Sequence, residues 1–273
     1  MIYVVPSLKA KEKLQCEGKA WAESQGFAYV PRGKRTIQDL MDEYGEDFLV
    51  YSSRGPQIDR PEGSHFFSLN MAELRIQNLR KGQRDHLLEA LMGVKEYDLR
   101  PAAAQPPISV LDCTCGFGAD AAVASFGLPA GSRVDALEVS PLLEAVTAWG
   151  FSHFVHKKDD VTAALRRISL RCGDYHDYLL SDDGPVYDVL YFDPMFQRPV
   201  EASCQFQPVR AIMEHGGLTR DLIERALQKA RRRVVIKERD FRQLCRDFPD
   251  VALYGGKYSR IGYAVLECDS WKK

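Results

Sequence analysis

Ile108-Ser109-Val110-Leu111-Asp112-Cys113-Thr114-Cys115-Gly116-Phe117-Gly118-Ala119-Asp120 decides how the rest of the chain is read. A short β-rich run, Ile108 to Leu111, ends on a carboxylate and passes through a glycine turn into a helix-forming stretch. Glycine removes the β-carbon that would hold a ligand away from the backbone, and the first turn of a helix offers amides without intrahelical partners. The pattern is that of the first strand, turn and helix of a nucleotide-binding α/β sheet.

C-terminal to this stretch, β-rich runs alternate with helical ones. The expected strands are Ile108 to Leu111, Arg133 to Glu138, Ile168 to Cys172, Tyr187 to Phe192 and Arg233 to Glu238. Helices are expected at about Ala119 to Phe126, Pro141 to Trp149, Val161 to Arg167 and Thr219 to Ala230. Such alternation argues for a parallel sheet covered on both faces. Val251 to Tyr254 and Ile261 to Glu267, flanking Gly255-Gly256-Lys257, form a hairpin instead. A mostly parallel sheet closed by a C-terminal antiparallel hairpin fits the Rossmann-like class I methyltransferase architecture better than the two-half dinucleotide fold.

N-terminal to it, Arg100 to Pro107 cannot continue a helix, because its prolines lack amide donors and restrict their predecessors. Residues 101–107 are therefore read as a linker between a small α+β domain, 1–100, and the α/β domain, 108–273. In the first domain Ile2 to Val5 and Phe48 to Tyr51 are expected strands. Leu8 to Ser24 and Thr36 to Tyr44 are expected helices, and Asn70 to Met92 a long one interrupted near Gly82. Ser53 to Pro56 and Arg60 to Gly63 read as turns.

The 273 residues, 45% of them apolar, suffice for a large domain and a smaller one. The sequence holds no apolar run of membrane-spanning length and no signal-peptide layout at its start, so a cytoplasmic protein without a membrane partner is expected. Seven cysteines without a CxxC pair suggest reduced thiols. Cys113 and Cys115 have no His or Cys partner at ligand spacing, and the six histidines show no paired spacing, so no metal is expected. With a net charge of -1, any nucleic acid must be held by local basic patches.

Four expected strands end on acids: Asp112, Glu138, Asp174 and Asp193. Gly116-x-Gly118-x-x-Ala121 alone also fits a nicotinamide fingerprint. Asp112 tips the balance, since a carboxylate there opposes a pyrophosphate and attracts a cationic amino acid moiety such as that of S-adenosylmethionine. Glu138 suits the two ribose hydroxyls of either cofactor. Asp174 suits the adenine amino group with Tyr175 on the ring, or else simply caps the next helix. Cys115, Asp120 and Val139 complete the candidate cofactor contacts, with Asp193 at the last strand end.

Asp193-Pro194-Met195-Phe196 follows the apolar run Val189 to Phe192. A carboxylate, a proline carbonyl and an aromatic ring at a strand end make a grip on a planar base bearing an amino group. Asp193, Pro194 and Phe196 are the candidate catalytic residues, with Met195 beside the substrate; Met195 and Phe196 as core residues leaving the strand is the alternative reading. If the base is stacked or paired it must be extruded, which costs a few kcal/mol.

Taken together, these motifs resemble the RsmJ-like family of class I S-adenosylmethionine-dependent methyltransferases, in its YhiQ and YpiP types. The resemblance rests on the Asp112 turn, Leu137-Glu138, Asp193-Pro194-Met195-Phe196 and Arg233-Val234-Val235-Ile236-Lys237. Tyr29 to Arg35 and Asn70-Met71-Ala72 are similar to a narrower bacterial branch. The resemblance implies methylation of the 2-amino group of a guanine in small-subunit ribosomal RNA. Two departures, Ala119 in place of an arginine and Cys113-Thr114-Cys115 in place of a smaller turn, bear on the target rather than on the cofactor.

RNA as partner requires cations, and Arg32, Lys34, Arg35, Arg198, Arg210 and Lys237 are the candidates, against the plainer reading of solvated charged faces. Arg75, Arg80, Lys81 and Arg84 form a further basic group. The first domain is accordingly expected to bind RNA or gate the substrate. The alternatives are methylation of a small amine or another nucleic acid, a nicotinamide-dependent oxidoreductase, and a non-catalytic RNA-binding protein.

Overall fold

The computed structural model describes residues 1–94, 105–194, 217–255 and 261–271. In chain order the N-terminal elements are β1 (Tyr3–Pro6), α1 (Glu12–Ser24), β2 (Ala28–Tyr29), α2 (Ile37–Tyr44), β3 (Phe48–Ser52), β4 (Gly55–Arg60) and β5 (Gly63–Phe66). There follow α3 (Asn70–Arg80), α4 (His86–Met92), β6 (Ser109–Asp112), α5 (Ala119–Gly127), β7 (Arg133–Glu138), α6 (Pro141–His153), α7 (Asp159–Arg166), β8 (Ile168–Cys172) and α8 (Tyr175–Leu180). The last are β9 (Val189–Phe192), α9 (Arg220–Lys229), β10 (Arg233–Glu238), α10 (Arg242–Asp247), β11 (Ala252–Tyr254), β12 (Gly262–Glu267) and α11 (Cys268–Trp271).

Two compact units result. Among the described residues the first comprises Met1–Ser68 and Ser140–Phe154; the second takes those of 69–139, 155–194, 217–255 and 261–271. The division differs from the one expected at 101–107. Helix α3 packs on α5, placing it with the second unit, and α6 packs on β4, placing it with the first.

The first unit is a five-stranded sheet ordered β2-β1-β3-β4-β5. Strand alternation sends Val5, Phe48 and Val50 to one face, where Leu40 of α2 packs, and Val4 and Tyr51 to the other, against Ala22 of α1. Thr36 and Asp39 start α2 with a capping box. Tyr51 crowds Gly18 of α1, whose absent β-carbon would stand 3.0 Å from the ring. Helix α6 begins with Ser140 as its cap and Pro141 in its first turn, and Trp149 lies against Gly55 while Phe67 lies against Gly150. The expected turns fall at Ser53-Arg54 and Pro61-Glu62, and strands β4 and β5, which the sequence reading did not include, begin or end inside those two stretches. Pro56 pairs with Tyr51 of β3 before the β4–β5 ladder begins at Gln57, so the proline's missing donor falls outside that ladder.

The second unit holds a seven-stranded sheet ordered β11-β12-β10-β9-β6-β7-β8. Strands β8, β7, β6, β9 and β10 are mutually parallel, and β12 runs antiparallel to both β10 and β11. Leu111, Leu190, Phe192, Val234 and Ile236 pack with Ile223 and Leu227 of α9 in one buried cluster. Burying each such side chain contributes about 1.5–3 kcal/mol. From β6 the chain builds β7 and β8 on one side and β9 and β10 on the other, so the order reverses between β6 and β9. Ligands of open α/β sheets bind outside the carboxyl ends of the strands at such a reversal.

Candidate active site

At that reversal β6 ends on Asp112 and β9 leads into Asp193. The two strand ends are laced together: Cys113 N donates to Tyr191 O at 2.8 Å, and Asp193 N donates to Thr114 Oγ1 at 2.7 Å. Thr114 N donates in turn to Asp112 Oδ1 at 3.1 Å. Asp112 is only 3% exposed. Burial, reinforced by the neighbouring Asp120 carboxylate, pushes its pKa well above the usual carboxylate range.

The glycine turn takes left-handed backbone at Gly116, φ 55°, and at Gly118, φ 75°, which is the cap of α5. A β-carbon at Gly116 would meet nothing closer than Thr114 O at 3.9 Å, so the turn fronts open space rather than packed protein. Cys115 is buried, and its N–H donates to Leu137 O at 2.9 Å. Gly116 N donates to Glu138 Oε2 at 2.8 Å, tying the end of β7 to the turn. Val139 follows, half-buried. An open glycine cradle flanked by Asp112 and Glu138 fits the amino acid end and the ribose of S-adenosylmethionine.

Asp174 caps α8, accepting from His176 N at 2.8 Å, so the capping role weighed from sequence is realised. The same oxygen lies 2.8 Å from His176 Nδ1. Tyr175 is in the core, edge-on to Phe192, with His176 stacked on it at 4.2 Å; the half-buried ring at this strand end is thus His176, which sequence left unassigned.

Asp120 and Lys237 occupy places that differ from the sequence reading. Asp120, expected at the cofactor, is 8% exposed and accepts from Arg75 Nη1 at 2.5 Å, Tyr191 OH at 2.7 Å and Lys237 Nζ at 2.8 Å. Lys237, expected on RNA, bonds Asp193 Oδ2 at 2.7 Å with its other arm, and its side chain is 15% exposed. Burial opposes both charges, yet Lys237 and Arg75 hold the Asp120 carboxyl below its usual range, and Asp120 and Asp193 hold the Lys237 ammonium above its own. Asp193, 28% exposed, is raised to about 6 by burial, against the pull of Lys237 and with the push of Asp120.

The basic groups divide similarly. Arg32 is buried, with Nε on Arg35 O at 3.0 Å, while Arg35 reaches Arg32 O, Pro31 O, Glu43 and Tyr44. Both close a loop, and of the three only Lys34 is exposed. Arg75 pairs with Asp85 and Asp120, Arg80 with Asp160, Arg84 with Glu89. Met195, Phe196, Arg198 and Arg210 lie outside the described residues, and Pro194 is half-buried. Among the described residues no cluster of three or more His, Cys, Asp or Glu is placed to hold a metal, and no helix is long and apolar enough to cross a membrane. A separate concavity of about 600 Å³ lies within the first unit, lined by Trp21, Tyr51, Trp149 and His153. None of the residues singled out from sequence lines it.

Sheet order, reversed β12 and glycine cradle define a class I S-adenosylmethionine-dependent methyltransferase. The SAM-dependent methyltransferase NGO1261 from Neisseria gonorrhoeae has the same fold, at TM-score 0.62 and 18% identity over 97% of this chain and 95% of that one. The chain belongs to the family described as "Putative SAM-dependent methyltransferase", whose model matches residues 73–261. It is 28% identical to the uncharacterized protein YpiP of Bacillus subtilis (strain 168) over 86% of this chain and 88% of that protein. It is 27% identical to the ribosomal RNA small subunit methyltransferase J of Dechloromonas aromatica (strain RCB), over 73% and 76%. The protein is therefore an S-adenosylmethionine-dependent methyltransferase of the RsmJ-like family.

Proposed function

We propose that this enzyme methylates the exocyclic 2-amino group of a guanine in ribosomal RNA. The observation that carries the reading is Asp193-Pro194 at the β6–β9 reversal, its main chain pinned by Thr114 and its carboxylate pinned by Lys237. Kinship with enzymes named ribosomal RNA small subunit methyltransferase J supports the RNA substrate.

The cofactor supplies a methyl group already activated on a sulfonium. What remains for the chain is to align the amine and exclude water. A guanine amine is a poor nucleophile because its lone pair is delocalised into the ring. Acceptors for its two protons, the Asp193 carboxylate and the Pro194 carbonyl, turn the lone pair toward the methyl carbon. As the N–C bond forms and the C–S bond breaks, one amine proton leaves along the hydrogen bond to Asp193, which is ionised above pH about 6. Phe196 stacks the base and Met195 borders it. Asp112 and Gly116 would hold the methionine end, with Cys115, Gly118 and Val139 lining it, and Glu138 would hold the ribose. Lys34, Arg198 and Arg210 are the phosphate contacts of this reading, and the N-terminal unit carries the first of them.

The test is transfer of labelled methyl to unmodified ribosomal RNA, read by nucleoside mass spectrometry. The expected product is N2-methylguanosine. Methylation of small amines alone, or at another atom of the RNA, overturns the reading.

A further inference from the structure

Three strands carry a row of polar groups across the carboxyl end of the sheet. The register pairs Ile236 with Phe192 and Lys237 with Tyr263, which sets Lys237 beside Asp193 on one side and Tyr263 on the other. Asp120, from the first turn of α5, reaches the row from the helix layer, bonding both Tyr191 and Lys237. Behind it Arg75 of α3 grips Asp85 through two bonds, 2.7 and 2.8 Å, and Asp85 is itself fixed as the cap of α4. The charges run Asp85, Arg75, Asp120, Lys237, Asp193, alternating in sign. Lys237 alone in this row touches both the buried relay and the strand-end carboxylate.

Arrays of this kind are costly to bury, and their attraction mostly offsets desolvation rather than adding stability. A solvated salt bridge would hold Asp193 only loosely; an ammonium clamped between two carboxylates, with the far one clamped in turn, leaves it little freedom. Lys237 takes Asp193 Oδ2, and among the described residues no donor bonds Oδ1. We infer that Lys237 is a positioning residue, which, braced by Asp120 and Arg75, locks the Asp193 side chain so that Oδ1 meets the substrate amine. The inference deepens the amine-transfer reading above and rests on it. The groups facing Asp193 are Lys237, Asp120, Asp112, Tyr191 and Glu238. Among these described groups Lys237 is the one cation, so its removal leaves Asp193 facing three carboxyl groups and the Tyr191 hydroxyl.

The test uses the full chain with ¹³C-labelled aspartate, following carboxyl titration by NMR, with Asp193→Asn to assign the signal. In Lys237→Met the Asp193 midpoint should rise by about one pH unit or more. The acidic limb of methyl transfer to ribosomal RNA should move with it, and kcat at neutral pH should fall about 100-fold, as expected when a reacting group is misplaced. Cofactor affinity should stay within a factor of three or so of native, since Lys237 bonds neither the glycine turn nor Glu138. Lys237→Arg should restore the midpoint and part of kcat, which a merely structural role would not require. Lys237→Gln gives the same comparison if the methionine variant does not fold. An unmoved midpoint in the neutral variant overturns the inference. If the native enzyme leaves ribosomal RNA unmethylated while the midpoint shifts, the RNA reading fails and the clamp on Asp193 stands.

Discussion

In the first unit the buried Arg32 and Arg60 bond to main-chain carbonyls, whereas at the carboxyl end of the seven-stranded sheet Arg75 and Lys237 bond to carboxylates. Arg32 and Arg35 exchange bonds with each other's carbonyls, and Arg60 reaches the carbonyls of Asp59 and Glu46. Loss of Arg32 or Arg60 leaves neutral acceptors behind, while Arg35 also pairs with Glu43 at the surface. Around Asp120 every partner is a charged or hydroxyl side chain from a distant element: Arg75, Tyr191 and Lys237. Loss of Arg75 or Lys237 there leaves the Asp120 carboxylate short of a buried counter-charge. On the proposed function, the contrast separates cations that build the fold from cations that set the electrostatics of a reaction.

The largest effect expected is on chemistry. Asp193→Ala should slow methyl transfer by about 100-fold or more, in the range of lost acid–base groups, with cofactor binding retained. The fold should survive because Lys237 keeps Asp120 as its partner. Native transfer rates in this variant would show that the strand-end carboxylate is structural, and the contrast between the two sheets would lose its functional meaning.

Next comes stability. Asp120→Ala leaves Lys237 and Arg75 short of a buried counter-charge, and should cost about 3–5 kcal/mol in urea denaturation. Arg32→Ala should cost less, since it abandons only a carbonyl. Equal losses would erase the distinction drawn here. The pH dependence carries opposite signs at the two aspartates. Asp120, held low, contributes stability above its unfolded pKa of about 3.9 that is lost as the pH falls below that value. Asp193, raised to about 6, makes folding less favourable above that pH, a cost relieved as the pH drops from about 6 toward 4. Native stability minus that of Asp193→Asn should therefore grow across that interval.

Glu138→Ala should weaken cofactor binding by about 1.5–3 kcal/mol for each charge-assisted hydrogen bond lost, as read by calorimetry. Unchanged affinity removes Glu138 from the ribose. The smallest effect concerns Lys34, the exposed member of its basic trio. Lys34→Ala should lower the salt slope of RNA binding by about one ion without touching stability. If Arg35→Ala changes that slope as much, the arginines are not confined to loop closure.

What sequence could show follows from what is local. The glycine turn, the acidic strand ends and the reversed final hairpin are each written within a few consecutive residues, and the structure builds their strands into one sheet. The ion relay is not local: Arg75 lies 45 residues from Asp120, and Asp120 lies 117 from Lys237. In a linear reading Arg75 is one cation in a basic helix and Lys237 one in a basic run, so both read as surface cations, Lys237 as a candidate RNA contact. The hint was Lys237 itself, the first charge after three apolar residues of a buried strand, Val234, Val235 and Ile236. Strand β4 was hidden differently, because Gly55 and Pro56 signal a turn whether or not a ladder begins one residue later. Tyr175 was misplaced for want of depth: a ring after a strand end can face the ligand or the core, and only packing against Phe192 decides.

Helix α6 has a consequence for how the protein is made. The N-terminal unit draws Ser140–Phe154 from beyond much of the second unit's sequence, and Trp149 and Gly150 fill against Gly55 and Phe67. A nascent chain that has just completed β5 must wait for residue 154 before this unit can close. At ordinary elongation rates that delay is on the order of ten seconds. During it the faces of β4 and Phe67 have no helix to cover them, so the growing polypeptide is most open to chaperones and proteases in its first-made part.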